Sequence, residues 1–151
     1  MVKHKKILVP TDWSEQSTEA LRRAVELAKK FNADVHLLHI CEPSMFFSTH
    51  TVFAPPLAEY DGEEKKGTLH RLKEYAQQFN FKITVHLKES LGDPSRSICK
   101  FATKLPADLI VIGRDDEKNI VKHMLVGSTV ERIVAHAPCS VLVTIPHGLI
   151  E

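Results

Sequence analysis

The sequence has 151 residues, 43% of them hydrophobic and 26% charged, which sets the scale of one globular domain over residues 1–151. Lys and Arg number 20 against 19 Asp and Glu, and a formal net charge of +1 gives no field to attract nucleic acid or an anionic membrane. Apolar runs such as Leu109 to Ile112 fall far short of the roughly 20 residues of a bilayer span, and the stretch after Lys3 to Lys6 is too short for a secretory signal, so a cytoplasmic location is expected.

The run KILVPTD, about Lys5 to Asp12, is short, β-branched and stopped by Pro and Asp, and predicts a buried strand ending at Asp12. Leu21, Ala24, Ala28 and Phe31 recur at helical spacing, so a helix is expected from about Ser14 to Phe31, with Asn32 able to end it in the left-handed conformation. Asp34 to Cys41 reads as a second strand. The connection through Pro56 is long and carries Met45, Phe46, Phe47, Val52 and Phe53, which suit either a lid or partner patch or an extension of the core. Leu69, Leu72, Ala76 and Phe79 form an amphipathic stripe behind charged Glu63 to Lys66, and Lys82 to Ser90 alternates as a strand.

Asp93 before Pro94 marks a helix start, with Ile98, Phe101, Ala102 and Leu105 as the inner face. ADLIVIG, ending at Gly113, is apolar on both faces, as a central parallel strand requires. After a loop to Val126, Ser128 and Glu131 form a capping box for a last helix, stopped before Pro138. SVLVTI, Ser140 to Ile145, closes the chain as a fifth strand. Five strands alternating with four helices predict an α/β fold: one open parallel sheet, covered on both faces. The three cysteines, Cys41, Cys99 and Cys139, contain no Cys-x-x-Cys and read as buried structural thiols.

Such sheets take ligands beyond the carboxyl ends of their strands, where the winding reverses. The first and fourth strands end there at Asp12 and Gly113, and Gly127, Ser128 and Thr129 open a helix whose unpaired amides suit a phosphate. Ser128 is equally suited to capping its own helix, Asp12 to capping the first helix with Glu15, and Gly113 to ending its strand.

Taken together, KKILVPTDWSE at Lys5 to Glu15, LLHI at Leu37 to Ile40, GDP at Gly92 to Pro94, DLIVIG at Asp108 to Gly113 and GSTVERIVAHAPCSVLV at Gly127 to Val143 resemble the universal stress protein family, in order and over nearly the whole chain. The resemblance implies a Rossmann-like sheet of order 3-2-1-4-5, a homodimer through Ser140 to Ile145 and, in one branch, a site for ATP or another adenine nucleotide, with or without magnesium. It would place the nucleoside at Asp12, beside Pro10 and Thr11, the adenine at the main chain of Ile40, and ribose and phosphates on Gly113, Gly127 and Ser128, with Thr129 adding an amide. The family loop has the pattern Gly-x2-Gly-x9-Gly-[Ser/Thr]. In this sequence its second glycine position holds Asp116, and thirteen residues separate Gly113 from Gly127 where the pattern has twelve. Asp115, Asp116 and Glu117 put carboxylates where phosphate charge would lie, and Lys118, Lys122 and His123 stand close behind.

Two functions follow as expectations: an adenine-nucleotide-binding regulatory protein, which the surviving residues favour, and a dimeric adaptor for a client protein with a vestigial cleft. Enzymatic readings lack their motifs, since there is no Gly-x-Gly-x-x-Gly, Walker lysine, Gly-x-Ser-x-Gly or His-Glu-x-x-His. His36 and His39 are three apart on a strand and therefore on opposite faces, so they cannot share a metal and are expected in the core or at its rim.

Overall fold

A computed structural model describes residues 4–41, 57–90, 92–114 and 128–146, with residues 57–61 described by their backbone only. Their elements are β1 (Lys6–Thr11), α1 (Glu15–Phe31), β2 (Asp34–Cys41), α2 (Leu57–Gln77), β3 (Ile83–Glu89), α3 (Pro94–Lys104), β4 (Leu109–Gly113), α4 (Thr129–His136) and β5 (Ser140–Thr144). All five strands are parallel and lie in the order β3-β2-β1-β4-β5. Chain order reverses between β1 and β4, which puts the switch point at the middle of the sheet.

Alternation along the strands divides the core in two. Ile7, Val9, Val35, Leu37 and Val111 face α1 and α2, while Leu8, Leu38, Ile110 and Ile112 face α3 and α4. Leu8, Leu37, Leu38 and Ile110 are wholly buried, each worth roughly 1.5–3 kcal/mol over its exposed state. Pro10 has no N–H to give a neighbour, and the β1–β4 ladder registers only Ile7 with Leu109 and Leu8 with Ile110. Beyond Leu8 the two strands part, whereas β1 stays paired with β2 through Thr11 and His39.

Three helix starts are capped by side chains. Ser14 Oγ accepts from Ser17 N at 3.1 Å, Asp93 Oδ1 from Ser95 N at 3.0 Å, and Ser128 Oγ from Glu131 N at 3.2 Å. The cap of α1 is therefore Ser14, and Asp12 instead accepts from Ser14 N at 3.0 Å. α2 begins at Leu57, well ahead of its apolar stripe, and ends before Phe79, whose amide turns back to Ala76 O at 3.2 Å. The three cysteines are half-buried rather than fully enclosed, and burial, the leading cause at each, raises their thiol pKa. Met45 to Phe53, Asp115 to His123 and Gly127 lie outside the described residues. No helix among the described residues is long and apolar enough to cross a membrane.

Candidate functional site

The gap left where β1 and β4 part is a cleft of about 1030 Å³. Pro10, Thr11 and Asp12 line it from the end of β1, Ile40 from β2, Gly113 from β4, and Ser128 and Thr129 from the start of α4. These are seven of the eight positions the sequence marks for a ligand, and the eighth, Gly127, is outside the described residues. Its apolar wall comes from the α3 and α4 face of the sheet: Leu38, Ile98, Ile112, Val130 and Val143. Ser14 and Gln16 bring the start of α1 to the rim, Pro94 that of α3, and Ser128 and Thr129 that of α4. Three helix N-termini thus border one space. Pro94 has no N–H to offer and the Asp93 carboxylate already caps α3, so the amides and partial positive charge that favour an anion come chiefly from the starts of α1 and α4.

Gly113 has a packing reason to be glycine. A Cβ at that position would stand 2.2 Å from the Gln16 carbonyl oxygen, so the end of β4 rests directly on the first turn of α1. Thr11 and Ser17, 6% exposed each, share a hydrogen bond of 3.0 Å between their hydroxyls beneath the same turn. The Asp12 carboxyl titrates below its ordinary range: desolvation pushes it up, and hydrogen bonds from Ser14 and Ser17 outweigh that push. It is an anion at neutral pH. Arg114 enters the cleft wall immediately after Gly113, its amide held on Thr144 O at 3.0 Å. Below the cleft, Arg132 of α4 reaches the Asp93 cap of α3 at 3.1 Å and ties two of the helix starts together. The Asp93 carboxyl is also held low, first by its hydrogen bond with Ser95 and further by Arg132.

A family model, the universal stress protein family, matches residues 3–144. The chain belongs to the universal stress protein family. A universal stress protein of Methanocaldococcus jannaschii is 36% identical over 141 residues, 93% of this chain and 81% of the relative. Among solved structures, a universal stress protein in complex with cAMP shares the fold with a TM-score of 0.68 at 18% identity, covering 94% of this chain and 97% of the other. An Archaeoglobus fulgidus universal stress protein in complex with dAMP shares it with a TM-score of 0.61 at 22% identity, covering 95% and 98%.

Sequence reading missed several cleft residues of this universal stress protein, among them Ser14, Gln16, Ser17, His39, Ile98 and Arg114. His39 could have been found from the alternation of β2, since it precedes Ile40 at the carboxyl end. The first turn of α1 could not, because only the packing of Gly113 on Gln16 brings it over the strand ends. His36 and His39 do lie on opposite faces: His36 meets His86 of β3, and His39 meets Trp13 and the Thr11 carbonyl. Among the described residues no three His, Cys, Asp or Glu side chains gather as a metal site.

Proposed function

We propose that this universal stress protein binds an adenine nucleotide in the cleft between β1 and β4 and acts as a nucleotide-responsive regulatory protein. The observation that carries the reading is the meeting of the α1 and α4 N-termini over an apolar wall, a place for phosphate beside a place for a base. Asp12, ionised at the rim, is placed to accept from ribose or base, and Ser128, which already caps α4, keeps its hydroxyl proton to donate. Two proteins of the same fold are known in complex with cAMP and dAMP. A magnesium ion accompanying ATP would rest chiefly on the phosphates.

Thermal unfolding with ATP, ADP, AMP and cAMP, each with and without magnesium, tests the reading. A nucleotide at 100 times its dissociation constant adds about 2.7 kcal/mol. Asp12→Asn should weaken binding about tenfold or more by removing a charged acceptor. The second reading, a dimeric adaptor, is favoured by one observation: Asp116 replaces a loop glycine and stands between two further carboxylates, Asp115 and Glu117. An unshifted melting curve at millimolar nucleotide would select the adaptor.

A further inference from the structure

Trp13, the chain's single tryptophan, sits between Asp12 and Ser14, both of which line the cleft. Its φ is +67°, a left-handed conformation that asparagine tolerates, as Asn32 and Asn80 do here, and that a bulky side chain resists. Something must hold it. The backbone is fixed by Trp13 N donating to Thr11 Oγ1 at 3.1 Å and by Ser14 N donating to Asp12 Oδ1 at 3.0 Å. The indole is fixed from three sides: its Nε1 donates to His39 Nε2 at 3.3 Å, the Arg71 guanidinium lies 4.4 Å above the ring, and Tyr75 meets it edge-on at 5.6 Å. Arg71 and Tyr75 belong to α2, none of whose described residues lines the cleft. The Tyr75 hydroxyl in turn bonds Thr18 Oγ1 of α1 at 2.6 Å.

We propose that Trp13 is the positioning residue of the cleft rim: its left-handed turn aims Asp12 and the start of α1, its indole orients the His39 ring, and Arg71 and Tyr75 of α2 thereby act on the cleft from outside its lining. The chemistry of His39 makes this specific. Its Nδ1 stands 2.9 Å from the Thr11 carbonyl, which can only accept, so Nδ1 carries the proton. Its Nε2 faces an indole N–H, which can only donate, so Nε2 is the acceptor. Both nitrogens are spent within the protein, and His39 offers the cleft a fixed wall rather than a polar contact.

The test has a ligand-free arm and a ligand arm, and only the second rests on the nucleotide reading. In the unliganded protein, ¹⁵N spectra of the His39 ring should show a protonated Nδ1 and a bare Nε2. Trp13→Phe, which keeps an aromatic ring and loses the N–H, should move the Nε2 resonance as that nitrogen loses its donor, while the Thr11 carbonyl keeps the proton on Nδ1. Arg71→Ala should displace the same signals from outside the cleft, and Arg71→Lys, which retains a cation over the indole, should restore them. By calorimetry, Arg71→Ala should weaken AMP binding by about two- to fivefold, the worth of an exposed cation over an aromatic face. Trp13→Gly, which accepts φ of +67° without strain, should bind AMP more weakly than wild type although its fold is relieved. A protonated Nε2 in wild type, an unchanged Nε2 resonance in Trp13→Phe, or wild-type AMP affinity in Arg71→Ala would each overturn the proposal. If wild type binds no nucleotide, the nucleotide reading falls alone, and the ring spectra of the two variants still decide the role of Trp13.

Discussion

At Gly113 the absence of one carbon decides how two elements meet. The Gln16 carbonyl occupies the place a β-carbon would need, and both partners are backbone, so no side-chain rotation can relieve an added methyl. Gly113→Ala should therefore destabilise the protein by at least the roughly 1–3 kcal/mol of an overpacked site, seen as a lower urea midpoint with an unchanged slope. A midpoint equal to wild type would show that α1 can move aside freely. The sequence marks Gly113 as the end of a strand and the opening of a loop, and nothing in its neighbours names Gln16 as the obstacle, because the contact joins segments ninety-seven positions apart. Trp13 is similar. Its neighbours Asp12 and Ser14 announce a strand-to-helix turn, and only the backbone shows that the turn is left-handed at a tryptophan.

Elements were most legible where chemistry is local. Asp93 with Pro94, two residues, and Ser128 to Glu131, four, mark the starts of α3 and α4, and the continuous apolar run of β4 announces burial on both faces. The start of α2 was hidden because Gly62, Gly67 and the charges between them interrupt its periodicity, leaving only the later stripe visible. The adjacency of β2 and β3 brings together a pair that no spacing reveals: His36 Nδ1 and His86 Nε2 lie 2.9 Å apart, with Phe101 of α3 4.8 Å from the His86 ring. Burial, aided by Lys6 at His36 and by the partner ring and Lys88 at His86, lowers both pKa values, and Asp34 alone opposes this at His36. A histidine that binds its proton less well folded than unfolded contributes fully above its unfolded pKa, about 6.5, and loses that contribution as the pH falls through the lower folded value. Stability should thus decline on acidification from neutral pH to below 6, and a His86→Gln variant should show a shallower decline in pH-dependent unfolding. Parallel curves for the two proteins would place the acid sensitivity elsewhere. Both rings are partly exposed, so solvent screening keeps the difference modest.

For the molecule as a whole, alternating strands and helices suffice to predict a parallel sheet, but not its strand order, which periodicity cannot encode and which only the family resemblance supplied. The order matters because it sets which strands form the edges. β3 edges the sheet with the charged, exposed Lys88 and Glu89, the latter paired with Lys65 of α2. β5, the opposite edge, carries Val141, Leu142, Val143 and the following Ile145, with Leu142 39% and Ile145 42% exposed. Charge on an edge discourages pairing with another chain, and its lack invites it. We propose that two copies associate through β5 about a two-fold axis, which lets the same apolar strip cover itself. Sedimentation at micromolar concentration should give a species of twice the 17.0 kDa chain mass. Leu142→Lys places a charge on a side chain that is already solvent-accessible in the single chain, so the fold should survive while the dimer dissociates. A wild-type monomer, or a Leu142→Lys protein that remains dimeric, would assign the apolar edge to some other contact. The cleft opens between β4 and β1 and takes only Val143 from β5, and alternation along the strand turns Leu142 to the opposite face, so the monomeric variant should keep whatever nucleotide affinity the wild type has.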